Sequence, residues 1–175
     1  ILRRLLYSRE NLCPLKAELD FVEDYLNIER IRFGADRLRL QKDIAPDVVN
    51  ARVPMMLLQP IVENAVKHGI GGREQGGTVT IRAHAEAGTL AIEVEDDGIG
   101  MTGRQLEQSI RKGIGLSNVR ERITSLYGES GHLSLQSELG KGTLVKILLP
   151  LDTSTGFSES PRQVPAAPRA AFHSR

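Results

Sequence analysis

An α+β fold, with helices on one face of a mixed, mostly antiparallel sheet, is predicted by three observations. Apolar residues recur at helical spacing in some segments and alternate with polar residues in others. Two alternating segments, 78–84 and 89–96, are separated by only a short turn, so a hairpin must join them. The order helix, strand, helix, hairpin, helix, two strands also lacks the regular alternation of a doubly wound parallel sheet.

Pro14 suits the first turn of a helix. Leu15, Leu19, Val22, Leu26 and Phe33 stripe that helix, Phe21, Tyr25 and Ile28 widen the stripe, and Gly34 ends it. Residues 37–44 alternate as a strand. A second helix spans about 54–68, bent or started afresh at Pro60 and stopped by Gly69. The glycine-rich stretch 69–77 leads into the hairpin, whose turn lies at Ala87-Gly88. Residues 101–116 are polar and punctuated by glycine, which predicts a mobile loop with one short helix. A third helix over 117–127 presents Val119, Ile123 and Leu126 on one face, and Gly128 closes it. Strands over 132–137 and 143–149 complete the unit. No internal repeat is visible.

From Leu151 onward, Ser, Pro, Ala and Arg dominate the 175-residue chain, the composition of a disordered tail. One domain of ordinary size remains, over 14–150. The net charge of +1 and the 4% aromatic content give neither the field nor the stacking groups for nucleic acid, and no field for an anionic membrane surface. Cys13 is the single cysteine, so no internal disulfide forms and a reducing compartment is expected. No apolar run reaches membrane-spanning length. The start at Ile1 suggests a fragment of a longer chain.

The chemistry concentrates where the strand over 89–96 stops. Asp96 and Asp97 arrive at its end, and Gly98 and Gly100 follow, letting the backbone turn and a ligand approach. Gly98-Ile-Gly100-Met-Thr-Gly103 matches the G-x-G-x-x-G of dinucleotide folds, but Glu95, Asp96 and Asp97 beside it would repel a pyrophosphate. A carboxylate facing a base is the consistent alternative, because Asp96 can accept from the exocyclic amino group of adenine. For Asp96 alone, an acidic hairpin end that only solubilises the strand is the plainer reading. Asn64, Lys67 and His68 fall at i, i+3 and i+4 on one helix face, a set suited to a Mg²⁺–triphosphate, although for this cluster by itself a solvated face is the plainer reading. Gly113-Ile114-Gly115-Leu116-Ser117 opens the third helix, where free N–H groups could bind an anion or Ser117 could merely cap. Thr143, after the Gly140-Lys-Gly142 turn, could bond the base or Asp96 through water. No P-loop is present.

Four motifs in one order resemble the ATP-binding domain of the GHKL superfamily (gyrase, Hsp90, histidine kinase, MutL). These are Glu63-Asn-Ala-Val-Lys-His68, Asp96-Asp-Gly-Ile-Gly100, Gly113-Ile-Gly-Leu116 and Gly142-Thr143. Within that group, residues 57–69, 25–33 and 115–122 are similar to LytS-like (autolysin-regulator type) sensor histidine kinases. The resemblance covers residues 7–150 and implies a two-layer α/β sandwich, the Bergerat fold, with ATP between Asp96 and the helix bearing Asn64. It implies that Asn64 holds Mg²⁺ and shares catalysis with Glu63 and Lys67, and that Lys67 and His68 lie near the phosphates. Asp96 would read adenine beside Gly98 and Gly100, with Thr143 in support. Residues 101–116 would form an ATP lid, ending at Gly113, Ile114, Gly115 and Leu116, and Arg30 and Arg32 would fall on the nucleotide side.

Two departures stand out. Hydrolytic members place a water-activating Glu one turn before the metal-binding Asn, where this chain has Pro60, so phosphoryl transfer to a separate acceptor fits better than hydrolysis. The lid also lacks the Phe-containing box of many histidine kinases. None of His68, His84, His132 and His173 sits in an acceptor context, so the phosphorylated His is expected upstream, with residues 1–13 ending that dimerisation or linker segment. The implied function is the cytoplasmic catalytic domain of a two-component sensor histidine kinase, part of a membrane-associated homodimer. Its partners would be the phosphoacceptor-His helices of the same or a partner protomer and a response regulator. The alternative is an ATP-binding regulatory module of the same fold without kinase activity.

Overall fold

The computed structural model describes residues 12–34, 36–112 and 114–153. In chain order the elements are β1 (Leu12–Pro14), α1 (Leu15–Phe33), β2 (Leu38–Ile44), β3 (Arg52–Pro54) and α2 (Gln59–Asn64), which continues as a π-helical turn (Ala65–Ile70). Then come β4 (Gly77–Glu86), β5 (Thr89–Asp96), α3 (Gly103–Lys112), α4 (Ile114–Tyr127), β6 (His132–Glu138) and β7 (Gly142–Pro150). Of the expected upstream segment (1–13) only Leu12 and Cys13 are described, as part of β1, and of the expected tail (151–175) only residues 151–153; Gly113 also lies outside the described residues.

Five strands form one sheet in the order β2-β4-β5-β7-β6. Only β2 and β4 run parallel, which requires a crossover between them, and α2 with its π-helical turn supplies it. The remaining pairs are antiparallel. Because side chains alternate along a strand, Val79, Ile81, Leu90, Ile92, Val94, Val145 and Ile147 all reach one face. They share a single core with Leu15, Leu19, Val22 and Leu26 of α1, Ile61 and Val62 of α2, and Val119 and Ile123 of α4. The opposite face carries charge pairs, Arg82 with Glu95 at 2.7 Å and Lys146 with Glu93 at 3.0 Å. This is the predicted two-layer α+β sandwich, helices on one side and solvent on the other.

The differences are local and have physical reasons. Phe21 and Ile28 do not widen the α1 stripe. They are 52% and 66% exposed, because the buried residues trace one narrow line and these two lie far round the helix from it. Glu18 and Glu29 fall along the edge of that line and are buried. Strands β1 and β3 pair antiparallel over three residues each, too short to show any periodicity in sequence. Pro54 ends β3, so the second helix starts at Gln59, and it runs past Gly69 to Ile70. Gly34 ends α1 as expected, at φ +100° with its N–H donated to the Arg30 carbonyl. The hairpin turn has positive φ at both Ala87 and Gly88, the backbone that two-residue hairpins require.

Candidate functional site

Asp96 is the last residue of β5 and shares the strand face of Leu90, Ile92 and Val94, so its carboxyl enters the helix-covered side at 5% exposure. The Gly98 N–H donates to Oδ1 at 2.9 Å, and the Thr143 N–H also bonds the carboxylate. Burial pushes its pKa from the ordinary 3.8 to about 6, against the stabilising Gly98 bond, with the adjacent Asp97 charge pushing the same way as burial. Asp97 acts on the backbone instead. Its Oδ1 accepts the Thr78 N–H at 2.7 Å, holding the start of β4 beside the turn.

The glycines after Asp96 act first through backbone proximity. A Cβ on Gly98 would stand 2.5 Å from the Gly69 Cα, and one on Gly100 would stand 2.7 Å from the Glu138 carbonyl carbon. The turn is thus wedged between the end of α2 and the β6–β7 hairpin, tied by Ile99 N–H to Gly69 O at 3.0 Å and Gly140 N–H to Ile99 O at 2.7 Å. Gly98→Ala should therefore lower stability by more than about 2 kcal/mol, since neither backbone can yield. Gly103→Ala, where a Cβ meets nothing within 4 Å, should change it by less than about 1 kcal/mol. Thermal melts of the two variants check this contrast.

The helix carrying Asn64 does not keep α-helical winding. After Asn64 it passes into the π-helical turn, and Gly71 N–H reaches the Val66 carbonyl five residues back at 2.8 Å. Wider winding advances each residue by a smaller angle, so the position three after Asn64 falls well off its face while four and five after flank it. Accordingly His68 and Gly69 join Asn64 around a cavity of about 420 Å³, which Asp96 and Thr143 also line. Lys67 does not line it. Its ammonium pairs with Glu63 at 2.9 Å on the outer side of the helix. Glu63 also accepts from Gln59 at 2.8 Å, and the Lys67 bond is the main cause of its lowered pKa.

Residues 103–112 form α3, and α4 begins at Ile114, three residues earlier than the sequence suggests. The stretch expected to be mostly loop is therefore largely helical. Ser117 lies inside α4 and so does not cap it; the helix starts at Ile114, within the glycine motif where the anion-binding helix end was expected. Gly115 places the start of α4 beside α2: a Cβ there would make an ordinary contact, 3.4 Å from Asn64 Nδ2. Gly115 and Leu116 line the cavity, as do Gly100, Met101 and Ser109.

A cavity of this size, lined by one buried carboxylate at a strand end and by polar helix residues, has the dimensions and chemistry of a small-molecule site. The sequence profile described as histidine kinase-, DNA gyrase B-, and HSP90-like ATPase matches residues 50–153. The chain belongs to this ATPase family. A second profile, described as histidine kinase, matches residues 1–38. The sensor histidine kinase YesM of Bacillus subtilis is 37% identical over 150 residues, which are 86% of this chain and 26% of that protein. The sensor protein LytS of Bacillus cereus is 32% identical, over 82% of this chain and 26% of that protein. A solved blue-light activated histidine kinase of Erythrobacter litoralis is similar in fold, with a TM-score of 0.61 at 25% identity, over 79% of this chain and 42% of that one. The chain therefore spans about a quarter of the length of these curated relatives.

Membership of this family makes the chain an ATP-binding domain. The structure brings Asn64, His68, Asp96 and Thr143 together, with Gly100, Gly115 and Leu116. Gly98 packs beside the cavity without lining it. Glu63 and Lys67 face away, Gly113 lies outside the described residues, and of Ile114 only the backbone is described. Arg30 and Arg32 do not line the cavity either: Arg30 Nε donates to the Leu38 carbonyl at 2.9 Å, and Arg32 lies 3.9 Å from Glu29. Sequence reasoning missed Ile61, Ala65, Leu135 and Val145, the apolar walls. Val145 was findable, since it lies two positions after Thr143 on the same strand face. Leu135 was not, because its place depends on how β6 registers against β7. Among the described residues no helix is long and apolar enough to cross a membrane.

Proposed function

We propose that this chain is the ATP-binding catalytic domain of a two-component sensor histidine kinase, acting on a histidine in a preceding segment. The observation that carries this reading is the cavity itself, which brings the buried carboxylate of Asp96 together with Asn64, His68 and Thr143. Pro60 lies in the first turn of α2, where a hydrolytic member would carry its water-activating carboxylate. The acceptor imidazole nitrogen forms a bond to the γ-phosphorus as the bond to the β-phosphate oxygen breaks, and ADP leaves. Such transfer depends on positioning and charge neutralisation more than on covalent chemistry from the protein.

Asn64 fits a role as Mg²⁺ ligand. Its carboxamide oxygen is a hard donor on the cavity wall, and no group of three His, Cys, Asp or Glu side chains that could hold a metal occurs among the described residues. Such a site leaves most positions around Mg²⁺ to phosphate and water, as that ion prefers. Bound there, Mg²⁺ would neutralise charge on the β- and γ-phosphates. His68 would donate to the phosphates. Glu63 and Lys67 act from the outer side of the helix, where the acceptor segment approaches, with Glu63 held ionised to orient the incoming imidazole. Adenine would lie on the apolar wall of Ile61, Ala65 and Val145, with α3 and the start of α4 as the lid. The domain spans 14–150, works in the cytoplasmic part of a membrane-associated homodimer, and passes its phosphoryl group through the acceptor to a response regulator.

Asn64→Ala is expected to weaken Mg-ATP binding at least about tenfold while leaving metal-free ATP binding nearly unchanged, as isothermal titration with and without Mg²⁺ would show. Equal losses in both conditions would remove Asn64 from the metal site. Joining the chain to its preceding helical segment should give ATP-dependent phosphorylation of a histidine there. ATP binding without that phosphorylation would favour the regulatory module instead.

A further inference from the structure

Asp96, Thr143 and Ser137 sit side by side across three neighbouring strands. Asp96 of β5 is the register partner of Thr143 of β7, and Thr143 is the partner of Ser137 of β6. Cross-strand partners project to the same face, so the three side chains form one row at the end of the sheet. Asp96 and Thr143 line the cavity and Ser137 does not, so Ser137 acts on a ligand there through the groups it bonds, of which the Thr143 hydroxyl is the one on the cavity wall.

Two short contacts give this row a direction. Ser137 Oγ lies 2.8 Å from the Gly142 carbonyl oxygen and 2.9 Å from Thr143 Oγ1. A hydroxyl has one proton to donate, and a carbonyl oxygen can only accept. The Ser137 proton must therefore go to Gly142, because otherwise two oxygens would face each other without one. Thr143 must then donate its own proton to Ser137. The chain runs Thr143 O–H to Ser137 O–H to Gly142 C=O, and it leaves Thr143 with only lone pairs for a ligand.

We infer that Ser137 is a specificity-determining positioning residue, which turns Thr143 into an acceptor so that the polar end of the cavity selects a 6-amino purine over a 6-keto purine. The inference rests on the ATP-site reading above and extends it to a residue outside the cavity. An ionised Asp96 accepts and cannot donate, and Thr143 beside it does the same. An exocyclic amino group offers two hydrogens to such a pair. A keto oxygen brings a third acceptor against two, and leaves buried polar groups without partners, which is what makes hydrogen-bonding sites discriminate strongly.

The test is the ratio of dissociation constants for Mg-ITP and Mg-ATP, measured by calorimetry on the whole chain. ITP differs from ATP only in carrying the 6-keto group with a proton on N1. Ser137→Ala frees the Thr143 proton for a keto oxygen, so the preference for ATP should fall by about tenfold. Ser137→Cys, which keeps the shape and loses the strong donor, should move the ratio the same way if the alanine variant fails to fold. Ser137→Thr keeps the hydroxyl and should keep the preference. In a Thr143→Val background, Ser137→Ala should move the ratio no further, since residues acting through one contact are not additive. An unchanged ratio in Ser137→Ala or Ser137→Cys, or an equal fall with and without the Thr143 hydroxyl, overturns the inference while wild-type ATP binding stands. A wild-type chain that binds neither nucleotide overturns this inference and the site assignment together.

Discussion

Asp96→Asn is expected to make the nucleotide-free protein more stable and to abolish measurable ATP binding. The carboxyl is 5% exposed, and its pKa is raised from 3.8 to about 6, mainly because burial disfavours the charged form. The sign follows from linkage. With the folded value above the unfolded one, this group supports the fold fully below about pH 4, and that support is lost as pH rises through about 6. At neutral pH the ionised form is therefore a cost, and removing the charge should recover about 1–3 kcal/mol. The amide keeps an oxygen for the Gly98 N–H, so the turn itself survives. The amide NH₂ then facing the base, however, donates where the carboxylate oxygen accepted from the amino group. Denaturant melts at pH 4, 5, 6 and 7 should show wild-type stability declining across that range relative to Asp96→Asn. ATP affinity of the wild type should weaken as pH falls through about 6, because protonated Asp96 donates where it must accept. A variant no more stable than wild type at pH 7, or one that binds ATP as before, would contradict this account of Asp96.

Glu18→Ala is expected to destabilise the fold strongly, through three backbone groups rather than through any ion pair. Glu18 lies on α1 at 7% exposure, and its carboxylate accepts three backbone N–H groups from the chain entering α2. These are Met56 at 2.6 Å, Leu57 at 2.8 Å and Leu58 at 3.0 Å. Met56 sits at φ +57°, a left-handed conformation uncommon for a residue with a side chain, so this segment is strained and depends on the carboxylate. Alanine leaves three donors without partners, and Leu57 and Leu58 are themselves fully buried. A loss of about 3–5 kcal/mol follows, enough to lower the melting temperature by roughly 10–20 °C in a domain of this size. Glu18→Gln, which keeps one acceptor, should lose about half as much. Because α2 leads to Asn64, the fraction of Glu18→Ala still folded should also bind Mg-ATP more weakly. A melting point within a few degrees of wild type would show that water replaces the carboxylate.

Much of the sheet was legible because β4, β5 and β7 each bury one face, and period-two alternation records that burial in the chain. The Asp96 end of the site was legible for the same reason, since its parity with Val94 places it inside. The helix bearing Asn64 was legible as a helix, but its winding was not. Helical spacing grouped Lys67 with Asn64 and His68, and the π-helical turn separates them, turning Lys67 toward Glu63. The lid illustrates the opposite error. Its glycines and polar residues suggested loop, yet α3 and α4 follow one another closely, because helix propensity across the stretch and contact of α4 with α2 and β6 outweigh them.

By itself, the sequence determined the family, the order of elements, the face of the sheet that is buried and the candidate identity of the base-reading carboxylate. Each of these depends on residue types at short, regular spacings, which a linear chain displays directly. Only the tertiary structure decided which polar groups meet. Glu18 finds N–H groups some forty residues away, Gly98 and Gly100 are needed because distant backbones press on them, and Ser137 reaches Thr143 through strand register. Such contacts depend on angle and register between elements, and a change of one residue in register or a wider helical turn would redirect them without altering the pattern that predicted the elements.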